Sequence, residues 1–498
     1  MNRRSSGILM HLTSLPGPFG IGDMGPQAYR FADFLAQSKQ SFWQILPLTP
    51  VDLNHNSSPY HSPSAFAGNP LLISPERLVG EGLLDKADLA ALPDLPAGRV
   101  DFSAVSACKE ELFEQAYDRF QARGVNDDFD RFCRRHAVWL DDFVLFHALQ
   151  SYYGADPWNK WPAKIRNRDP KALLTVQSEL AESLNKRRFV QYIFYRQWRD
   201  LQRYCRQKQI RIIGDMPIYL PYDSADVWRH PQLFKLGKNK RPRRVSGVPP
   251  DYFSDTGQLW GHPVYNWKVL QKKDYAWWIQ RLEHQLALFD MVRIDHFRGL
   301  VAYWEVSAAA KTAIHGEWIP VPVDDFFGKI IRHFACLPII AEDLGTITAD
   351  VREIMRRYRL PGMRVLLFAF GDDFPEGAFL PHNHIRHCFV YTGTHDNNTV
   401  KGWFENEADE KAKKRLSSYI GRNISAAGIS RAMIRLAMMS VADTAIIPMQ
   451  DLLGLGAEAR MNDPSKAKGN WLWRLDKDPM TKKLTGRLRK MTETYGRS

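Results

Sequence analysis

The chain has 498 residues, of which 44% are hydrophobic and 25% charged, a balance that excludes a disordered, collagen-like or long coiled-coil protein. Lys and Arg exceed Asp and Glu by 68 − 55 = 13, yet no RNP motif, zinc-finger spacing or helix-turn-helix pattern accompanies the excess, so no nucleic-acid partner is expected. Much of the positive charge lies in Lys235–Arg244 and Lys482–Arg497, which read as solvated basic surfaces.

The apolar stretch Gly7–Met10 behind the basic Met1–Arg4 is too short for a secretory signal, and no run reaches the roughly 18–20 apolar residues of a membrane helix. Five scattered cysteines (Cys108, Cys133, Cys205, Cys336 and Cys388) show no CxxC spacing. They suit a reducing compartment without a disulfide framework or structural zinc, and a cytoplasmic location without membrane association is expected.

Short apolar, β-branched blocks recur along the chain: Gly7–Leu12, Phe42–Leu48, Arg211–Ile218, Met291–Phe297, Pro338–Leu344, Val365–Phe370, Cys388–Gly393 and Thr444–Met449. Blocks of this kind are strands buried on both faces of a parallel sheet. Helical stretches such as Gln27–Ser38, Phe189–Lys208 and Thr348–Arg359 separate several of them. The pattern predicts an α/β fold, a (β/α)8 TIM barrel forming one catalytic unit over 1–498. Large helical and loop insertions are expected after the second strand (about 49–205) and the third (about 219–288). The latter contains the aromatic, Pro-rich loop Val245–Trp267, and too little chain follows the eighth strand for a C-terminal β-domain.

Catalytic groups of such barrels sit at the C-terminal ends of strands. Here those ends carry Asp215, then Arg293-Ile294-Asp295-His296, then Glu342-Asp343, then His395-Asp396. A pair of carboxyls, one ionised and one protonated, is the apparatus of a retaining glycosidase. Period-two alternation puts Arg293 and Asp295 on one side of a strand, and a guanidinium favours the ionised carboxylate, which makes Asp295 the better nucleophile. Glu342 and Asp343 are neighbours of which only one can face the barrel mouth, and periodicity does not choose between them. Aromatics in loops, among the 15 Trp, 18 Tyr and 27 Phe, suit the apolar faces of sugars.

The segments Val292–Gly299 (VRIDHFRG), Ala341–Gly345 (AEDLG) and Thr394–Asn398 (THDNN) resemble the catalytic segments of the α-amylase clan. Ser58-Pro59-Tyr60, Ser64–Pro70, Gly247–Ser254, Thr256–Gly261, Gln450–Gly456 and Ala459–Asn462 narrow the resemblance to the 4-α-glucanotransferases of glycoside hydrolase family 77, over about Gly7 to Leu475. The resemblance implies Asp295 as nucleophile, Glu342 rather than Asp343 as general acid and base, and Asp396 as a third carboxylate that holds sugar hydroxyls. It further implies that Arg293, His395, Asp215 and Tyr60 shape the cleavage subsite, with Asn462 among the substrate-binding residues. By the same resemblance, Asp251, Tyr252 and Trp260, beside Phe253, belong to a loop that in the family covers the glucan groove. His61 stands where the family often has Gln, and His262 where Asn is common.

The expected reaction is transfer of an α-1,4-glucan segment to the 4-hydroxyl of glucose or another maltooligosaccharide, without cofactor or catalytic metal, by a monomer or weak homo-oligomer. The same carboxylates would serve an α-amylase-like hydrolase, the first alternative. A non-catalytic glucan- or nucleic-acid-binding protein is the second.

Overall fold

The computed structural model describes residues 4–124, 126–154, 156–250 and 254–498. In chain order its strands are β1 (Ser5–Leu9), β2 (Phe42–Gln44), β3 (Arg211–Met216), β4 (Arg244–Val248), β5 (Gln258–Pro263), β6 (Met291–Ile294), β7 (Ala302–Ser307), β8 (Gly316–Pro320), β9 (Ile339–Ala341), β10 (Gly362–Val365), β11 (Cys388–Tyr391) and β12 (Thr444–Pro448). Eight of them form one sheet in the order β10-β11-β12-β1-β2-β3-β6-β9. Every pairing in it is parallel. Ala341 N–H donates to the Pro361 carbonyl (2.9 Å) and joins the last strand to the first, closing the barrel. The anticipated α/β barrel is therefore the fold.

These strands are short and almost wholly buried, with helices on the outside and apolar side chains on both faces. The interior is not purely apolar. Across it, the Tyr391 hydroxyl of β11 donates to Gln44 Oε1 of β2 (3.0 Å), so two buried polar groups satisfy each other beneath the site.

Several strand ends differ from the sequence expectation. The first strand occupies Ser5–Leu9, and Leu12–Ser14 is a 3-10 turn. The sixth is Gly362–Val365, and Leu366–Phe368 is again a 3-10 turn. After Ile294 the backbone leaves the strand through His296 at φ +52°. In each case the apolar run continues past the strand because the turn that follows is buried too, and composition does not distinguish the two.

A second, antiparallel sheet, β5-β4-β7-β8, is absent from the sequence reading. Its strands come from the segments after β3 and after β6, and their exposed or half-buried residues include Arg244, Gln258 and Glu317. Such strands lack the continuous apolar signature of the barrel.

The basic segments are also less solvated than their composition suggests. Lys235 Nζ pairs with Glu305 of β7 (2.5 Å), and Arg244 lies 3.7 Å from the same carboxylate. Arg497 is fully buried. It donates to the carbonyls of Met438 (2.9 Å), Ser5 (3.0 Å), Ala442 (3.0 Å) and Ser440 (2.7 Å), tying the C-terminus to β1 and to the turn before β12. Met438 and Ser440 also accept from Arg4 (2.8 and 2.6 Å), but removing the Arg497 guanidinium strips a buried donor from every one of these carbonyls, so Arg497→Ala should cost roughly 2–4 kcal/mol. Urea denaturation of both proteins measures it, and an unchanged midpoint would refute the structural role.

Candidate active site

Strand register brings the first two charged groups together. Asp215 on β3 lies directly opposite Arg293 on β6. Arg293 Nη1 donates to both Asp215 oxygens (2.9 and 2.7 Å), and Nη2 donates to Asp295 Oδ1 (2.9 Å). The side chains of Arg293 and Asp215 are 3% and 0% exposed, whereas that of Asp295 is 30% exposed. Asp295 therefore faces the cleft, and Asp215 acts from behind by holding its neighbours.

Glu342 follows β9 on the same rim. Its own N–H donates to the Ile294 carbonyl (3.1 Å), and its side chain accepts from His296 N–H (2.8 Å) and Leu344 N–H (2.8 Å). The left-handed turn at His296 aims that N–H, one residue beyond Asp295, at the Glu342 carboxyl. Asp343 points elsewhere: it accepts from Met363 N–H (2.6 Å) and pairs with Arg364 (3.1 Å) on β10. The structure thus separates the two neighbours by task, since Asp343 fastens one strand to the next.

The far side of the site is a turn after β11. Asn397 Oδ1 accepts from Thr394 N–H and from the Thr394 hydroxyl (both 2.9 Å), which shapes the turn bearing His395 and Asp396. Asp396 accepts from Asn462 Nδ2 (2.7 Å), while Asn462 N–H donates to the His395 carbonyl (3.0 Å). Its side chain remains 38% exposed toward the cleft. His395 Nε2 lies 3.3 Å from Asp396 Oδ2 and 2.7 Å from the Tyr60 oxygen. The Tyr60 hydroxyl donates to Asp215 Oδ2 (2.8 Å), so its oxygen takes the Nε2 proton of His395. Tyr60 also stacks on His395 (ring centroids 5.3 Å apart).

A continuous chain of contacts thus runs from Asn462 through Asp396, His395, Tyr60, Asp215 and Arg293 to Asp295. Burial pushes the Asp295 and Glu342 carboxyls up. The Arg293 guanidinium opposes this at both, and the negative charges of Asp215, Glu342 and Asp396 reinforce it at Asp295. Burial lowers His395, keeping it neutral, and raises the Tyr60 phenol well above its ordinary value, keeping it a donor.

Trp260 on β5 lies over the rim, edge-on to His296 with ring centroids 4.7 Å apart. Asp251, Tyr252 and Phe253 lie outside the described residues. Two contributors went unread in the sequence. Trp471 packs against both Tyr60 (5.6 Å) and His395 (6.1 Å). Arg460 donates to the carbonyls of Asp396 (3.1 Å) and Asn462 (2.7 Å), clamping their two loops. A Trp beside Gly469 and Asn470 was the available signal for the first; Arg460 lies inside the Ala459–Asn462 segment noted above, which gave it no role. Asp451, within a motif noted above, is structural: it accepts from Thr392 Oγ1 (2.6 Å) and Val400 N–H (2.7 Å) and so braces the turn between them.

The geometry predicts the cost of losing the bridge. Lysine has one ammonium and cannot copy the fork to Asp215 and Asp295. Losing one charged hydrogen bond, worth about 1.5–3 kcal/mol, should lower kcat/KM about ten- to hundred-fold in Arg293→Lys. Steady-state kinetics with the thermal midpoint as control would show it, and wild-type kinetics would remove Arg293 from the site.

The chain matches the family model described as 4-alpha-glucanotransferase, glycoside hydrolase family 77, over residues 10–481. It is 45% identical to the 4-alpha-glucanotransferase of Aquifex aeolicus and 44% identical to that of Thermus thermophilus, each alignment covering 99% of both chains. Among solved structures, the amylomaltase from Streptococcus agalactiae in complex with acarbose superposes with a TM-score of 0.95 at 38% identity, over 100% of both chains. The amylomaltase from Corynebacterium glutamicum shares the fold, with a TM-score of 0.78 at 17% identity, over 99% of this chain and 75% of that one. With a family match across nearly its whole length and relatives above 40% identity, the chain belongs to glycoside hydrolase family 77, the 4-α-glucanotransferases.

Proposed function

We propose that this enzyme moves segments of α-1,4-glucan between maltooligosaccharides, with Asp295 as nucleophile, Glu342 as general acid and base, and Asp396 as the carboxylate that grips the sugar. The observation that carries the assignment is the Arg293 fork, which places a guanidinium on a partly exposed Asp295 one residue from the N–H that holds Glu342.

Two crowded carboxyls, both only partly open to solvent, keep one proton between them. The ion pair with Arg293 stabilises negative charge on Asp295, which leaves the proton to Glu342. Glu342 then protonates the glycosidic oxygen as Asp295 attacks the anomeric carbon, and the reducing-end part of the glucan leaves. Asp295 is now esterified through the β-face of the sugar. An incoming glucan offers its 4-hydroxyl; Glu342 takes the proton as that oxygen attacks the anomeric carbon, and Asp295 departs as carboxylate. Two inversions return the α-linkage. Asp396, half open to the cleft and steadied by Asn462, is available to sugar hydroxyls. Hydrolysis differs only in which hydroxyl arrives second. Transfer therefore needs a positioned acceptor and restricted water, for which Trp260 over the rim is suited.

Incubation of the enzyme with maltotriose should yield glucose together with a ladder of longer oligomers. Accumulation of shorter sugars alone would instead identify the hydrolase. In Glu342→Gln the rate should fall about 10²–10⁴-fold, the usual share of a general acid and base. Asp295→Asn should stop turnover yet still bind maltooligosaccharide, as read by calorimetry; measurable transfer by that variant would reject the nucleophile.

The pH profile has a definite sign. Activity requires one proton on the carboxyl pair, and burial raises both members. The alkaline limb of kcat/KM should therefore lie well above the ordinary carboxyl range, with activity falling as the shared proton is lost. A decline already complete by about pH 5, close to the unperturbed carboxyl values, would contradict it.

A further inference from the structure

Away from the catalytic line, Asp52, His55 and His61 are the one group of three or more metal-type donors among the described residues, their donor atoms all within 4.8 Å of one another. The local sequence builds the cluster. Asp52 Oδ1 accepts from Asn54 N–H (2.9 Å) and opens the 3-10 turn Leu53–His55, while Asp52 Oδ2 sits 2.6 Å from His55 Nδ1. Asn56 and Ser57, at φ +60° and +50°, fold the chain back. The ring of His61 then lies parallel to that of His55, with centroids 4.1 Å apart and 16° between planes. From β5, His262 approaches His61 (centroids 5.4 Å). Tyr60, whose hydroxyl bonds Asp215, immediately precedes His61.

We propose that Asp52, His55 and His61 form a binding site for a borderline divalent transition metal, with Zn²⁺ as the probe, at the rim of the glucan cleft. Two imidazole nitrogens and a carboxylate oxygen are donors that such ions accept, whereas Mg²⁺ and Ca²⁺ favour all-oxygen sites. Three protein ligands leave a fourth position for water or for His262. Tetrahedral coordination at about 2.0–2.1 Å sets donors roughly 3.3–3.5 Å apart, so no pair, all being within 4.8 Å, needs to close by more than about 1.5 Å. Side-chain rotation supplies that movement, since His55 is exposed and Asp52 and His61 are half-buried. A bound ion would tie the turn carrying Tyr60 and, where His262 joins, the β5 strand bearing Trp260.

The test is equilibrium dialysis of chelator-treated, full-length enzyme against ZnCl2, with bound metal counted per chain and folding checked by circular dichroism. The wild type should saturate at one equivalent, and a large excess of MgCl2 should not displace it. His61→Gln and His55→Ala should each weaken binding by about tenfold or more. His333→Ala, which removes an exposed His–Glu pair elsewhere (2.6 Å), should leave the isotherm unchanged. Absence of a saturable site, binding that survives both cluster substitutions, or equal competition by MgCl2 would overturn the assignment.

Discussion

The site depends on one buried cation. Arg293 sits on a barrel strand with almost no solvent exposure, and such a charge is tolerable only if it is paired and hydrogen-bonded. Asp215 neutralises it from the neighbouring strand, and Asp295 takes the remaining arm of the fork. The same requirement that makes the guanidinium bearable inside the fold aims a carboxylate at the cleft. Asp215 does not reach the cleft itself, yet it decides where Arg293 points and, through Tyr60, where His395 lies.

Around that pair the barrel supplies rigidity at different depths. Glu342 is gripped by backbone N–H groups from its own loop and from His296, so its position follows from main-chain geometry more than from side-chain packing. Asp396 stands on a turn and is held by Asn462 and Arg460 from a segment more than sixty residues later. Glu342 is thus fixed by local structure and Asp396 by a long-range clasp.

The likeness to other 4-α-glucanotransferases extends over nearly the whole length. Beside Tyr60, His61 stacks on His55, which in turn bonds Asp52, and His262 approaches His61 at a tilt.

The barrel was legible in the amino-acid order because its strands are buried on both sides and so read as unbroken apolar blocks. The residues at their ends, Asp215, Arg293, Asp295 and Glu342, were legible because strand alternation and barrel polarity assign them to one rim. The antiparallel sheet of β4, β5, β7 and β8 was not, since half-exposed strands share their composition with loops. Family resemblance, and not periodicity, preferred Glu342 to Asp343; in the structure the backbone turn at His296 and the demand of Met363 and Arg364 for a partner separate the two. Trp471 and the approach of His262 to His61 had no sequence signal of comparable strength, and Arg460 had a motif but no role. Local order determines which side chains stand at the end of each strand, because a strand's geometry is set by its own residues. Which distant loops close over those ends is decided only when the barrel closes, because those contacts join residues whose separation along the chain carries no information about their distance in space.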